Sequence, residues 1–183
     1  MMRVIAGKAR RLKLVTIEGN DTRPTTDRVK ETLFNILQPD LPGCRFLDLF
    51  AGSGAIGIEA LSRGAREAVL VEQDAQALRC IRQNLEHTRL TADARVMAAD
   101  VLTAIDTLAA EGRRFDLIFL DPPYEKGWEQ RAADKLRDSG LLADGGRLVI
   151  ESAACTPIEP DGWRIVKEKL QKVTKFTFLE KMR

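Results

Sequence analysis

Residues 46–57 read Phe-Leu-Asp-Leu-Phe-Ala-Gly-Ser-Gly-Ala-Ile-Gly, an apolar run followed at once by three closely spaced glycines. The run Phe46–Phe50 predicts a buried strand, and Ala55–Arg63 predicts a helix that Gly64 stops. A strand, a glycine turn and a helix in this order are typical of the first unit of a parallel α/β sheet. These twelve residues therefore set the fold class that the rest of the chain must match.

Apolar runs continue to alternate with helical patterns toward the C-terminus. Further strands are predicted at Ala68–Glu72, Arg95–Ala99, Phe115–Leu120 and Arg147–Glu151. Helices are predicted at about 74–88, Leu102–Ala110 and about 128–138. A closing hairpin is predicted from Trp163–Lys169 and Lys175–Leu179, although Lys-Leu-Gln-Lys at 169–172 is also compatible with a helix. We therefore expect a Rossmann-like α/β fold whose mostly parallel sheet carries helices on both faces.

The N-terminal residues are predicted to form a basic extension of this fold. Residues 1–22 are expected to be a small hairpin, with Arg3–Ala6 against Leu12–Ile17, and residues 23–183 to be one domain. Thr25 or Thr26 suits the N-cap of the helix that follows. A chain of 183 residues is long enough for one substantial core and short for two.

Composition argues against several classes of protein. Hydrophobic residues make up 44% of the chain, and no apolar run approaches the roughly 18 residues of a membrane-spanning helix. We expect no signal peptide, and Cys44, Cys80 and Cys155 suit the reduced thiols of a cytoplasmic protein. His87 is the single histidine, which argues against histidine triads and metal clusters, so no metal is expected.

The net charge of +2 conceals an uneven distribution. Residues 1–30 carry eight Lys/Arg against three Asp/Glu, and residues 163–183 carry seven against two, so each end has a net charge of +5. Residues 31–162 therefore have a net charge of −8. Basic ends around an acidic body favour contact with a polyanion such as nucleic acid; the alternative is ordinary solvated surface charge. The candidate RNA-binding residues are Arg3, Lys8, Arg10, Arg11, Lys13, Arg23 and Arg28.

The glycine turn fits two cofactors. Gly52, Gly54 and Gly57 match the G-x-G-x-x-G pattern, which serves NAD(P) and also allows the backbone to pass close to S-adenosylmethionine (AdoMet). Asp48 favours AdoMet, because a carboxylate there suits the cationic amino group of the methionine moiety, or tethers the loop. Beside the pyrophosphate of NAD(P) it would be repelled.

Two more acids stand at predicted strand ends. Glu72 suits both ribose hydroxyls, and Asp100 suits the adenine amino group. Each acid alone is also compatible with a simple strand-end cap, but three of them around one glycine turn favour AdoMet. The candidate cofactor-binding residues are Thr25, Thr26, Asp48, Phe50, Ala51, Gly52, Ser53, Gly54, Glu72, Gln73, Asp100 and Val101.

The candidate catalytic residues, Asp121, Pro122, Pro123 and Tyr124, directly follow the predicted strand Phe115–Leu120. Asp121 and the Pro122 carbonyl can accept the two N–H bonds of a planar exocyclic amine, and Tyr124 can stack on an extruded base. The prolines fix φ and bring no competing N–H donor. The pattern predicts methylation of a nucleobase amine at the carboxyl edge of the sheet. A strand followed by a Pro-rich turn is the alternative interpretation.

Four blocks of sequence together resemble the RsmD family, bacterial enzymes that methylate guanine N2 in 16S ribosomal RNA. The blocks are Arg23-Pro-Thr-Thr-Asp-Arg-Val-Lys-Glu-Thr-Leu-Phe-Asn, Phe46-Leu-Asp-Leu-Phe-Ala-Gly-Ser-Gly-Ala-Ile-Gly-Ile-Glu-Ala-Leu-Ser-Arg-Gly-Ala, Val71-Glu-Gln-Asp and Phe115-Asp-Leu-Ile-Phe-Leu-Asp-Pro-Pro-Tyr. The resemblance implies a class I methyltransferase with a seven-stranded sheet of order 3-2-1-4-5-7-6, its last strand antiparallel.

The resemblance also implies a cofactor, a partner and a location. It assigns Asp48, residues 51–54, Glu72 and Asp100 to AdoMet, and Asp121–Tyr124 to the target amine. The implied partner is 16S rRNA in a small-subunit particle. We also expect a monomeric cytoplasmic enzyme without membrane contact. Residues 9–12 lack the glycine expected between the arginines, and the tail after Pro157 diverges; both departures concern RNA contacts rather than chemistry.

Three other functions fit parts of the pattern. A DNA adenine or cytosine amino-methyltransferase also uses Asp-Pro-Pro-Tyr, although the chain leaves little room for a DNA-recognition domain. An NAD(P)-dependent oxidoreductase shares the glycine turn, and a non-catalytic RNA-binding module could retain the core. AdoMet or NADH binding, and transfer of labelled methyl groups to RNA or DNA, would separate these functions.

Overall fold

The computed structural model describes residues 2–17, 27–123 and 127–182, so the predictions for Arg23, Thr25, Thr26 and Tyr124 lie outside the described residues. The strands are β1 Met2–Arg3, β2 Lys13–Leu14, β3 Arg45–Leu49, β4 Glu67–Glu72, β5 Ala94–Ala98, β6 Phe115–Leu120, β7 Leu142–Ala153, β8 Trp163–Leu170 and β9 Thr174–Lys181. The α-helices are α1 Asp27–Leu37, α2 Ala55–Ser62, α3 Ala75–Thr88, α4 Val101–Ala110 and α5 Trp128–Ser139. Short 3-10 turns follow α1 and α3 at Gln38–Asp40 and Thr91–Asp93. Within the described ranges, no helix has the length and apolar character needed to cross a membrane.

Strands β3 to β9 form one seven-stranded sheet of order β5-β4-β3-β6-β7-β9-β8. The five strands from β5 to β7 are parallel, and β9 runs antiparallel to both of its neighbours. Counted from the first strand of the sheet, this is the order 3-2-1-4-5-7-6, so the predicted fold class is confirmed. The order reverses between β3 and β6, which is where open α/β sheets bind their ligands.

Helices cover both faces of the sheet, because each strand directs alternate side chains to opposite sides. Helices α1, α2 and α3 pack on what we call the first face, where Phe34 and Phe119 belong to one apolar cluster. Helices α4 and α5 pack on the opposite face, with Ile105 and Leu120 in a second cluster. Asp48 lies beside Phe119 in the β3–β6 register and therefore points toward the first face.

Strand β7 begins earlier than the predicted Arg147–Glu151. Its pairing with β6 jumps from Leu142 opposite Phe115 to Arg147 opposite Leu117. The intervening residues, which include Gly145 with φ 74°, form a bulge inside the strand. The glycine-containing segment before Arg147, which the prediction placed outside the strand, therefore lies inside β7 as a bulge.

The N-terminal hairpin is shorter than predicted and packs into the body of the fold. Its strands β1 and β2 pair only Met2 with Leu14 and Arg3 with Lys13. Most of the predicted strand residues in Arg3–Ala6 and Leu12–Ile17 lie outside β1 and β2. Ile5, Ala6 and Val15 donate their backbone N–H groups to side chains of α2 and α3 instead of to the opposite strand. Met2, Val4, Ala9 and Leu14 are buried in the apolar cluster of the first face.

Glu59 of α2 fastens the hairpin and α1 to the body. Its two carboxylate oxygens accept hydrogen bonds from the backbone N–H groups of Ile5 (2.9 Å) and Ala6 (3.0 Å). It also pairs with Lys30 Nζ at 3.2 Å and with Arg63 Nε at 2.8 Å. The side chains of Glu59 and Lys30 have no exposed surface, and burial lowers the pKa of Lys30 even though the Glu59 charge acts to raise it.

Substitution Glu59→Gln is expected to destabilise the fold strongly. It leaves the buried Lys30 ammonium without its counter-charge, and breaking a buried pair costs about 3–5 kcal/mol. The free energy of unfolding, measured with urea, should fall by that amount. The exposed residue Glu86 of α3 supplies the control, since Glu86→Gln should change stability by less than about 0.5 kcal/mol. Equal effects of the two substitutions would contradict the central role given to Glu59.

Candidate active site

The carboxyl ends of five adjacent parallel strands, from β5 to β7, meet at one edge of the sheet. Most of the candidate residues that the structure describes follow these ends. Asp100 lies beyond β5, Glu72 ends β4, the glycine turn follows β3, and Asp121 follows β6. The edge therefore brings together the described members of both the cofactor set and the catalytic set.

The turn after β3 depends on two of its glycines. Gly54 is the N-cap of α2 with φ 79°, in the left-handed region that glycine favours. A Cβ on Gly57 would lie 2.9 Å from the Leu70 side chain, so only glycine lets α2 approach β4 this closely. Asp48 Oδ2 accepts a hydrogen bond from Gly57 N at 2.9 Å. Asp48 therefore anchors the turn, one of its two predicted roles; contact with a methionine ammonium stays a prediction.

Glu72 joins two loops at the cofactor side of the edge. Its Oε2 accepts a hydrogen bond from Gly52 N at 2.8 Å, and its Oε1 accepts from Gln73 N at 2.8 Å and Asp74 N at 2.9 Å. Three backbone donors hold the carboxylate in a fixed orientation between the glycine turn and the start of α3. The predicted contact with ribose hydroxyls would use the remaining acceptor capacity of this carboxylate.

Asp100 is the N-cap of α4. Its Oδ1 accepts hydrogen bonds from Leu102 N and Thr103 N, each at 3.1 Å. The bonds from Thr103 lower the pKa of Asp100, because they stabilise its charged form. The structure thus shows the strand-end cap that was the alternative interpretation of this acid, and contact with adenine stays a prediction.

A cleft lies between the ends of β4 and β5 and the start of α5. It is lined by Phe50, Val71, Glu72, Gln73, Ala99, Asp100, Val101 and Trp128. Phe50 has left the predicted strand and takes a left-handed φ of 65°, and its ring meets the Trp128 ring edge-on at 5.6 Å between centroids. The Arg131 guanidinium lies 4.3 Å from the centroid of the Trp128 ring. Trp128 is not among the residues predicted from the sequence, although an aromatic residue so soon after Asp121 was an available signal.

Asn84 of α3 was also not selected, and it links the glycine turn to the N-terminal segment. Its side chain is fully buried. Its Nδ2 donates to Ser53 O and Val15 O, each at 2.9 Å, and its Oδ1 accepts from Val15 N at 2.8 Å. No pattern in the sequence pairs these three positions, because the contact exists only once α3 lies beside the turn.

Asp121 stands at the centre of the edge, directly after Leu120 of β6. It is half-buried, Pro122 is buried and Pro123 is exposed. Burial, and then the charge of the buried Glu129 at the start of α5, raise the pKa of Asp121 well above its usual range. The catalytic candidates Asp121, Pro122 and Pro123 are therefore at the predicted edge.

Several acids with raised pKa values lie at this edge. Burial, opposed by the Gly57 hydrogen bond and reinforced by Asp121 and Glu72, raises the pKa of Asp48 to about 8. Burial, with the Asp121 charge, also raises the pKa of Glu151 at the end of β7. Among the described residues, none of these acids forms a cluster suited to a metal ion. A bound organic cation would favour the ionised forms of these acids, whereas a pyrophosphate would disfavour them.

The described RNA-binding candidates do not gather at this edge. Lys8 N donates to the carbonyl of Ser62, the last residue of α2, at 2.8 Å, which places the turn of the hairpin at the opposite edge of the sheet. The hairpin residues Lys8, Arg10 and Arg11 are exposed at this turn, where they also suit the negative end of a helix dipole. The remaining described candidates, all exposed, are Arg3, Lys13 and Arg28. Arg3 pairs with Asp27 at the start of α1, at the other end of the hairpin.

Comparison with known proteins places the chain in a family. A family model described as Conserved hypothetical protein 95 matches residues 2–180. Ribosomal RNA small subunit methyltransferase D of Escherichia coli is 39% identical over 171 residues, which cover 92% of this chain and 84% of that protein. The chain belongs to this methyltransferase D family.

Other members of the methyltransferase D family agree in sequence and in structure. The protein of the same name from Haemophilus influenzae is 35% identical over 173 residues, covering 92% of this chain and 88% of that protein. The structure of yhhF from Escherichia coli superposes with a TM-score of 0.86 at 36% identity, over 99% of this chain and 98% of that one. The resemblance seen in the sequence motifs is therefore confirmed.

The acids of this family member are expected to make its stability fall as pH rises. Raised pKa values mean that the folded protein keeps protons that the unfolded chain has already released near pH 4. The resulting stabilisation is fully present below pH 4. It is lost as the pH rises through the pKa of each acid in the folded protein, which is about 8 for Asp48. Each proton contributes a slope of up to about 1.4 kcal/mol per pH unit.

Urea unfolding at pH 5.5, 7 and 8.5 would measure this slope. Asp48→Asn keeps an acceptor for Gly57 N and removes one titrating group, so it should flatten the slope. Asp144→Asn, at an exposed position of β7, should leave it unchanged. A wild-type stability that increases across this range would contradict the raised pKa values.

Proposed function

We propose that the protein transfers a methyl group from AdoMet to the exocyclic N2 amine of a guanine in small-subunit (16S) ribosomal RNA. The observation that carries the proposal is the position of Asp121 and Pro122. They follow the central strand β6, beside the topological switch point, with the anchored glycine turn on the neighbouring strand. The names of the methyltransferase D relatives support the choice of reaction and of RNA.

The residues of the edge fit AdoMet. When bound, AdoMet supplies an activated methyl group on a positively charged sulfonium. The two positive charges of AdoMet, on its sulfonium and on the ammonium of its methionine moiety, would favour the ionised forms of the edge acids. Asp48 and the Gly52–Gly54 turn would lie on the methionine side. Glu72 and the Phe50–Trp128 cleft would take the ribose and the adenine, with Asp100 at the end of the cleft.

Asp121 and Pro122 would orient the amine of the target base. The lone pair of a guanine amine is delocalised into the ring and makes a poor nucleophile. Hydrogen bonds from its two N–H groups to the Asp121 carboxylate and the Pro122 carbonyl would turn the lone pair toward the methyl donor. Orientation of this kind contributes up to roughly 7–11 kcal/mol to catalysis. The raised pKa of Asp121 also lets it take up the proton that the methylated amine loses.

The base must leave its stack to reach this edge, because the amine of a paired guanine is not accessible. Tyr124 is our proposed stacking partner for the extruded base, and Thr25 and Thr26 are proposed to border the cofactor. The hairpin and the start of α1 would contact RNA phosphates away from the reacting base. A ribosomal particle as substrate, a monomeric enzyme and a cytoplasmic location complete the proposal.

Substitution Asp121→Ala is expected to abolish methyl transfer while AdoMet still binds. Loss of one preorganised hydrogen-bonding group at a reacting centre costs about 10²–10³ in rate, and loss of the proton acceptor adds to this. Transfer of tritium from labelled AdoMet to unmethylated 16S rRNA or small subunits measures the rate, and calorimetry measures AdoMet binding.

The control is Asp144→Ala, which removes an exposed acid of β7 and should leave the rate unchanged. Methyl transfer by Asp121→Ala at the wild-type rate would remove Asp121 from the mechanism. Label that enters duplex DNA instead of RNA would favour the amino-methyltransferase of DNA, and binding of NADH in place of AdoMet would favour the oxidoreductase.

The double variant Arg10→Ala/Arg11→Gly tests the basic turn. Arg11 has φ 72°, so glycine removes its charge without straining the backbone. Binding to 16S rRNA should weaken, and the slope of log K against log salt should become shallower by about 0.7–0.9 for each phosphate that the protein no longer neutralises. Arg114→Ala, an exposed position just before β6 on the same edge of the sheet as the turn, is the control and should leave the slope unchanged. An unchanged slope in the double variant would exclude the turn from RNA binding.

A further inference from the structure

Glu151, at the carboxyl end of β7, is a buried acid that the reaction as described so far does not use. It is 4% exposed, and its Oε2 atom is buried without a hydrogen-bond partner among the described residues. Buried polar atoms nearly always have a partner, so each exception needs an explanation. A ligand that brings its own donor is one such explanation.

The register of the sheet places Glu151 beside Asp121. Leu120 of β6 pairs with Ile150 of β7, so the next residue of each strand stands at the same level of the edge. Val149 and Phe119 belong to the cluster on the first face, and alternation puts Glu151 and Asp121 on that same side. Neighbouring strands lie about 4.8 Å apart. The side chains of Asp121 and Glu151 could therefore contact two adjacent positions of the same base.

The order of the strands decides which way the base extends. The glycine turn, Glu72 and Asp100 lie on the β3, β4 and β5 side of β6, and that side would be filled by the cofactor. A purine held at Asp121 by its amine must then extend over the end of β7. The ring nitrogen next to the amine-bearing carbon would then lie beside Glu151 Oε2.

We propose that Glu151 Oε2 accepts a hydrogen bond from N1–H of the target guanine and so determines the choice of base. This inference rests on the proposed guanine-N2 methylation. Guanine carries a ring N–H next to its exocyclic amine. Adenine and cytosine carry a bare acceptor nitrogen at the corresponding position, which would face the lone pairs of the carboxyl oxygen. A buried acceptor that matches only one base discriminates against the others.

The protonation state of Glu151 does not remove the acceptor. Burial, followed by the charge of Asp121, raises the pKa of Glu151, so the neutral carboxyl is favoured near pH 7. A neutral carboxyl retains a carbonyl oxygen that can accept the N1–H bond, but its O–H could also donate to the bare nitrogen of adenine or cytosine. Discrimination between the bases therefore belongs to the ionised form, which a hydrogen bond from N1–H favours.

The test compares Glu151→Leu, Glu151→Gln and wild type on unmethylated 16S rRNA. Leucine removes every acceptor, and kcat/KM should fall roughly 10–100-fold, the effect of losing one buried hydrogen bond. Glutamine keeps one acceptor oxygen and should restore part of the activity. AdoMet affinity should stay within twofold, and the melting temperature of Glu151→Leu should equal or exceed that of wild type, because a buried unpaired carboxyl has been removed. The exposed residue Glu159 supplies the control, and Glu159→Gln should behave as wild type.

A second measurement locates the contact on the base. The 16S rRNA is assembled with either guanine or 2,6-diaminopurine at the modified position; the latter keeps the N2 amine but presents an acceptor at N1. Wild type should prefer guanine by at least tenfold, and Glu151→Leu should lose this preference.

Two results would overturn the role of Glu151 alone, namely full activity of Glu151→Leu or the same preference for guanine in that variant and in wild type. If wild type methylates neither RNA, both this inference and the proposed function fail.

Discussion

The carboxylate of Glu59 holds three parts of the molecule together. It lies in a site without exposed surface, where it meets two backbone N–H groups of the N-terminal segment and the charges of Lys30 and Arg63. The segment and α1 are thereby fixed against α2, which begins at the glycine turn. Because Asn84 joins the same segment to Ser53, the turn is held from both ends. The shape of the edge therefore depends on a polar network on the first face as much as on the sheet.

At the carboxyl edge of the sheet, the acids on the two sides of β6 differ in their hydrogen bonding. Toward β5, Glu72 and Asp100 accept hydrogen bonds from backbone N–H groups, and these bonds lower the pKa of Asp100. Toward β7, no such donor meets Asp121 or Glu151 among the residues that the structure describes, and burial raises the pKa of both. In the proposed reaction, the first side would hold the cationic cofactor and the second side the neutral base that loses a proton. This difference follows from local hydrogen bonding, since all four residues are acids.

The sequence predicted much of this architecture, because its signals are local. The run Phe46–Phe50, the glycines after it and the residues at 121–123 follow from composition over a few positions, and their places in the sheet agree. The roles of Asp48 and Asp100 could not be decided, because capping and ligand binding require the same carboxylate at the same strand end. Glu151 ends an apolar run and looked like the boundary of a strand. Its burial depends on β9, whose Phe176 lies beside it in the register and is remote in sequence.

The contacts of the N-terminal segment have a consequence for how the chain matures during translation. Ile5 meets Glu59, Ala9 meets Ser62 and Val15 meets Asn84, so each partner is synthesised more than fifty residues later. These residues therefore leave the ribosome well before their partners and can find their place only late. Until α3 has emerged, a nascent chain exposes the apolar side chains of Met2, Val4 and Leu14, which makes this stage the one most open to proteolysis and to chaperone binding.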